Sequence, residues 1–208
     1  MPNSKNSEPS AADHTLFERA LSPGGAHLDH GPDIDMRIAR DGTWFYHGSA
    51  ISRKPLVRLF STVLRREADG EYYLVTPVER VRIDVDDAPF TAVEMFIEGS
   101  GEAQSLSFRT NVDDIVVLDA EHPLRVEIDP KTGQPAPYIR VRDNLEALIV
   151  RAVFYDLVDL GLAASPEIAG QSAGQSPLEN GIMAAETIGV WSAGMFFEIG
   201  KTEEGSTA

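Results

Sequence analysis

Between residues 71 and 141 one short strand-like run follows another, and at 81–85 and 93–97 apolar and polar side chains alternate with a period of two. Successive side chains of a strand point to opposite faces, so each run has one face to bury and one to leave wet. The runs are 71–76, 81–85, 93–97, 104–109, 115–118, 124–128 and 138–141, with turn residues between most of them. Seven short strands in series predict an antiparallel barrel.

After the last run the pattern changes. Asp143 and Glu146 stand three apart, as in a capping box, and Leu145, Leu148, Ile149, Ala152, Val153, Phe154 and Leu157 follow. This spacing predicts a largely buried helix over 144–160, stopped by Gly161. Seven antiparallel strands and one C-terminal helix is the element order of a pleckstrin-homology-like barrel.

Upstream, Ile34, Met36 and Ile38 alternate with polar neighbours, Asp41-Gly42 follows, and residues 43–47 return as a second strand. Asp-Gly is the chemistry of a two-residue hairpin whose central residues both need positive φ. Ser52 is placed to cap a helix carrying Pro55 in its first turn. Leu56, Leu59, Phe60, Val63 and Leu64 then form an amphipathic stripe. The expected fold is α+β: a small β-β-α domain over 33–68 packed on a seven-stranded barrel with its helix over 69–161. A faint echo links the two, since Arg53-x-x-Leu56 and Arg142-x-x-Leu145 lie 89 residues apart; a β-β-α duplication and chance both account for it.

Residues 1–32 read as a flexible arm with one or two helical turns at 15–21, and 162–181 as a Ser/Gly/Gln/Ala/Pro linker. Residues 182–199 are apolar again and must bury themselves, by folding back or by joining two copies into a homodimer.

Composition narrows the function classes. The 208 residues contain no cysteine, which excludes disulfides, thiolate metal sites and a cysteine nucleophile. A formal net charge of -15 predicts no binding to nucleic acid or to anionic membrane. No export signal or membrane span is recognisable, so a cytoplasmic location is expected. Charge is uneven along the chain. Residues 36–66 hold seven basic side chains against Asp41 alone, whereas residues 83–130 hold twelve acidic ones against Arg109 and Arg125. Arginine far outnumbers lysine, and its planar fork suits carboxylate or phosphate. Either the basic part docks on the acidic part, or some arginines hold an anionic ligand.

The candidate ligand site gathers Arg53, Lys54 and Arg58 on the first helix, whose N-terminus favours an anion, with Glu79, Arg82 and Arg109 on strands or turns of the barrel. Trp44 and His47 are placed to offer a flat ring. The leading expectation is a regulatory module, without catalysis or cofactor, that binds an anionic small molecule between the two domains. One alternative is a protein-interaction scaffold whose arginines are structural. The other is a hydrolase using His47 or His122 as base. No metal is expected: the run Asp84, Asp86, Asp87 lacks the glycine and distal glutamate of a calcium loop.

Four stretches carry a family resemblance. They are residues 37–60 (RIARDGTWFYHGSAISRKPLVRLF), 72–90 (YYLVTPVERVRIDVDDAPF), 106–111 (LSFRTN) and 122–127 (HPLRVE). Together they resemble one of the domain-of-unknown-function families of proteobacteria, over about 33–161. The resemblance implies two domains with repeated motifs, the second superficially pleckstrin-homology-like. It also implies a suspected signalling role and a nucleotide-like ligand between the domains. It carries over no catalytic residue.

Overall fold

The computed structural model describes residues 34–77, 79–130, 132–171 and 187–201. The arm and residues 172–181 of the assigned linker lie outside these residues. Within them the chain forms two compact units, divided between Pro89 and Phe90.

The first unit runs β1 (Met36–Ile38), β2 (Trp44–Tyr46), β3 (Ser49–Ala50), α1 (Lys54–Val63), β4 (Leu64–Arg66), β5 (Tyr72–Val75) and β6 (Arg80–Val85). Its six strands lie in the order β3-β2-β1-β6-β5-β4. Two antiparallel meanders are joined by one parallel pair, β1 with β6, in which Ile38 faces Val85. The alternation at 34–39 does form a strand, with Met36 and Ile38 buried and Arg37 exposed. Asp41-Gly42 makes a three-residue loop rather than a two-residue one. The Gly42 N–H donates to the Ala39 carbonyl at 2.8 Å, the Ala39 N–H to that of Thr43 at 2.9 Å, and only Gly42 has positive φ. That is a turn closed by a left-handed residue. The primed two-residue turn comes one hairpin later, at His47 (φ 46) and Gly48 (φ 71), between the paired Tyr46 and Ser49.

Arg53, not Ser52, is the N-cap of α1, and its side chain makes no capping hydrogen bond. The helix buries Leu56 and Phe60, leaves Leu59 exposed, and passes directly into β4, whose Leu64 is wholly buried. Phe60 stacks on Trp44 with centroids 6.0 Å apart and planes 17° apart.

The second unit runs β7 (Phe90–Glu98), a 3-10 turn (Gly101–Ala103), β8 (Ser105–Thr110), β9 (Ile115–Val117), β10 (Leu124–Ile128), β11 (Pro135–Arg142), β12 (Leu145–Ile149), α2 (Arg151–Gln171), β13 (Thr187–Ser192) and β14 (Met195–Lys201). Its sheet order is β10-β11-β12-β7-β8-β9, with β12 and β7 parallel. Numbered within its own unit, each sheet reads 3-2-1-6-5-4. The duplication is therefore of a whole six-stranded sheet, β1 corresponding to β7. It is not the echo 89 residues apart, because Leu56 lies in a helix and Leu145 in a strand.

The fold is α+β, but two six-stranded sheets replace the expected seven-stranded barrel, and each has a central parallel pair that an all-antiparallel barrel lacks. The runs at 71–76 and 81–85 belong to the first sheet, because β6 pairs with β1 and the Asp86 N–H donates to the Ile38 carbonyl at 3.0 Å. A domain boundary at 68/69 would cut that sheet. Residues 145–149 form a strand, not the first turns of a helix: Leu145, Ala147 and Ile149 are buried in alternation, and Asp143 turns at φ 46. The helix starts later and runs through Gly161. A Cβ at Gly161 would meet Ile188 Cγ2 and Ile199 Cδ1 at 3.0 Å, so this glycine permits close approach of β13 and β14 rather than ending a helix. Residues 162–171, assigned to a linker, continue the helix. The described part of the apolar tail is the β13–β14 hairpin, which docks within its own unit, as Gln104 Nε2 donating to the Trp191 carbonyl at 2.9 Å illustrates.

Candidate functional site

The first unit contains a cavity of about 230 Å³ between the β1–β3 meander and the start of α1. Met36, Tyr46, Leu56 and Phe60 supply apolar wall, and Ser52 and Arg53 line the end where the chain enters the helix. The local folding explains the space. The tight turn at His47-Gly48 makes β3 only two residues long, and Ile51 is tied back by its N–H to the Trp44 carbonyl at 2.8 Å. The chain then crosses to Arg53 without a side-chain cap, and the gap under this crossing stays open.

The sequence-predicted residues separate into three groups. Arg53 lines the cavity and Lys54 follows it as the first helical residue. Arg58 is exposed one turn further along α1, and its carbonyl accepts the Ser61 hydroxyl at 2.7 Å. Trp44 is 1% exposed and packs behind Phe60, so its ring is a wall of the core and not an open stacking face. Its Nε1–H is buried with no hydrogen-bond partner among the described residues.

Arg82 and Arg109 answer carboxylates within their own sheets. Arg82 lies 3.3 Å from Glu71 and 3.7 Å from Asp84. Arg109 belongs to the second unit, donates to Glu94 at 2.7 Å directly across the β7–β8 ladder, and reaches Asp113 at 3.2 Å. The hydrogen bond that Arg109 donates to Glu94 raises its pKa further. Other arginines follow the same rule: Arg80 binds Glu67 at 2.6 Å under the Tyr73 ring, and Arg125 forks onto both oxygens of Glu146 at 2.7 Å. These four arginines are thus matched locally, strand by strand.

Glu79, at the β5–β6 turn, is different. Its backbone is pinned, the Thr76 N–H donating to its carbonyl at 2.8 Å. Its Oε2 is buried with no hydrogen-bond partner among the described residues, and burial raises its pKa.

The two histidines each face one aspartate. His47 Nδ1 is 3.4 Å from Asp35 with both groups exposed, and His122 Nδ1 is 3.0 Å from Asp119 Oδ1. Neither ring has a hydroxyl hydrogen-bonded to it among the described residues, so the base–nucleophile pair of a hydrolase is not assembled there. Nor do the described residues contain a group of three metal-ligating side chains. No helix among them is long and apolar enough to cross a membrane.

Sequence reasoning missed Met36, Tyr46, Ser52, Leu56 and Phe60 as site residues. Strand and helical spacing mark the four apolar ones as core, Ser52 reads as a helix cap, and nothing in a hydrophobic pattern distinguishes a filled core from one with a gap.

Two family models match the chain. Residues 27–88 match the N-terminal domain of unknown function DUF1285, and residues 89–176 match the C-terminal domain of the protein of unknown function DUF1285. A DUF1285 family protein from Silicibacter pomeroyi DSS-3 is 45% identical, with a TM-score of 0.69 over 89% of this chain and 93% of that one. A second, from Shewanella baltica OS155, is 25% identical, with a TM-score of 0.48 over 61% of this chain and 92% of that one. No protein of curated function matches. This chain belongs to the DUF1285 family. The family boundary at 88/89 falls one residue from the division between the two units, and the β13–β14 hairpin lies beyond the C-terminal family match.

Proposed function

We propose that this DUF1285 family member is a ligand-binding regulatory module of the kind used in signalling, and that it takes an anionic small molecule in its first unit, at the start of α1. The observation that carries this reading is the cavity lined by Arg53 together with the rings of Tyr46 and Phe60. An apolar recess with a few polar groups at one end is the usual form of a small-molecule site. Lys54 adds a second cation at the start of the helix. The remaining arginines of the expected site, Arg82 and Arg109, are structural in this reading, as the scaffold alternative has them.

The test is a thermal-shift screen of carboxylates, inorganic phosphate and nucleotides against the full chain and its Arg53→Gln variant. A ligand at a hundred times its Kd adds about 2.7 kcal/mol to the folded state. Wild type should gain several degrees with at least one anion, and the variant should lose that gain while keeping its own ligand-free midpoint. If no anion shifts wild type, the module binds none and the scaffold alternative takes its place.

A further inference from the structure

We infer that the ligand of the α1 cavity is a small amphipathic monocarboxylate, a single aryl ring or short acyl chain bearing one carboxylate, and not a phosphate ester. This inference rests on the proposed function and names the class of molecule that the same site would take.

Three observations converge. The first is size. The cavity measures about 230 Å³. An apolar cavity of about 150 Å³ holds a benzene ring, and sites for drug-sized molecules run from about 300 to 1,000 Å³. The space therefore suits one ring, or a chain of similar bulk, with a short extension. Its walls of Met36, Leu56 and Phe60 offer such a body dispersion contacts but few hydrogen bonds.

The second is the helix start. A phosphate-binding helix N-terminus presents several convergent N–H groups. Here the first three positions are Lys54, Pro55 and Leu56. Proline has no N–H, and the Leu56 N–H already donates to the Arg53 carbonyl at 3.0 Å. Only the Lys54 amide is left among the three. The expectation that this helix offers an anion several N–H groups is thus corrected by its own sequence. Recognition falls to side chains, and a guanidinium with one amide and the Ser52 hydroxyl matches two carboxylate oxygens better than three phosphate oxygens.

The third is the field of the whole chain. At a net charge of -15, long-range repulsion grows with each negative charge on the ligand. A monoanion meets the smallest barrier, and its apolar body supplies the binding energy that charge does not.

Trp44 provides an intrinsic reporter, because it stacks on the cavity wall residue Phe60. Trp191→Phe leaves it as the one tryptophan. In that background the full chain is titrated with 3-phenylpropionate and hexanoate, and separately with inorganic phosphate and AMP. The carboxylates should change Trp44 emission saturably, while phosphate and AMP should not. Arg53→Gln should weaken the carboxylates by at least tenfold. Ala50→Leu, which adds bulk from the exposed β3 residue lining the cavity, should abolish them without loss of fold. Binding of phosphate or AMP alone would overturn the monocarboxylate assignment while leaving an anion-binding module standing. No binding of any probe at millimolar concentration would overturn both. Carboxylate binding unaffected by Arg53→Gln and Ala50→Leu would place the site elsewhere and overturn the inference.

Discussion

Ser192 Oγ donates a hydrogen bond to the Leu118 carbonyl at 2.6 Å, and neither residue has any solvent exposure. The same oxygen accepts the Leu106 N–H at 3.0 Å. One hydroxyl thus satisfies a donor and an acceptor of the sheet from the end of β13. Ser192→Ala strands both groups, and each buried unpaired group costs about 1–3 kcal/mol. We expect the urea midpoint to fall accordingly. An unchanged midpoint would show that the hairpin's docking does not depend on this bridge.

Glycines set the spacing of that same hairpin. A Cβ at Gly189 would lie 2.6 Å from the Phe197 carbonyl oxygen and would strike the Phe196 ring. The ring can swing, but the carbonyl belongs to the paired strand and cannot. Gly189→Ala should cost about 1–3 kcal/mol, the usual range for overpacking. Gly161→Ala is the milder case, with contacts of 3.0–3.1 Å to Ile188, Ile199 and the Gly189 carbonyl. A helical Gly→Ala change normally gains about 0.5–1 kcal/mol; here we expect that gain to vanish, and to return in part when Ile199 is shortened to Val, which removes the Cδ1 that the new methyl would meet at 3.0 Å. Stabilisation by Gly161→Ala alone, seen in thermal melts, would refute the close-approach reading.

Period-two alternation made strands such as 81–85 and 93–97 legible, because the buried face of a ladder is written into its side chains, whereas the all-apolar strand 115–117 shows no alternation. Sheet membership was not legible, since Val81 and Ile83 would alternate in the same way whichever sheet received them. The helix expected at 144 failed for a related reason: Leu145, Leu148 and Ile149 fit a helical stripe, while Leu145, Ala147 and Ile149 fit a strand, and pairing with β11 and β7 decides between them. Charge type singled out Arg53 and Lys54 because a run of basic residues is visible in sequence. The same signal singled out Arg82 and Arg109, but not their carboxylate partners Glu71 and Glu94, which become neighbours only through strand register.

Asp119 offers a pH-dependent test. Burial pushes its pKa up, but hydrogen bonds from the His122 and Glu121 amides and the His122 ring outweigh this and leave it below 3.8. A depressed carboxylate stabilises the fold above its unfolded pKa, and the contribution is lost as pH falls through the folded value. Wild type should therefore exceed Asp119→Ala in stability at about pH 7, and the gap should narrow below about pH 4. A gap independent of pH would mean that Asp119 acts through shape alone.

Glu79 should show the opposite sign. Burial raises its pKa above the ordinary 4.5, and its Oε2 lacks a hydrogen-bond partner among the described residues. The folded state then holds a proton more tightly than the unfolded chain does. Stability falls as pH rises from the unfolded value through the folded one, and above both the full penalty of the buried charge is present. Glu79→Gln keeps the shape and removes the charge. Its melting temperature should exceed that of wild type at about pH 7, and the difference should shrink towards about pH 4, where the wild-type carboxyl is protonated. A variant less stable than wild type at neutral pH would mean that the carboxylate is held by a cation.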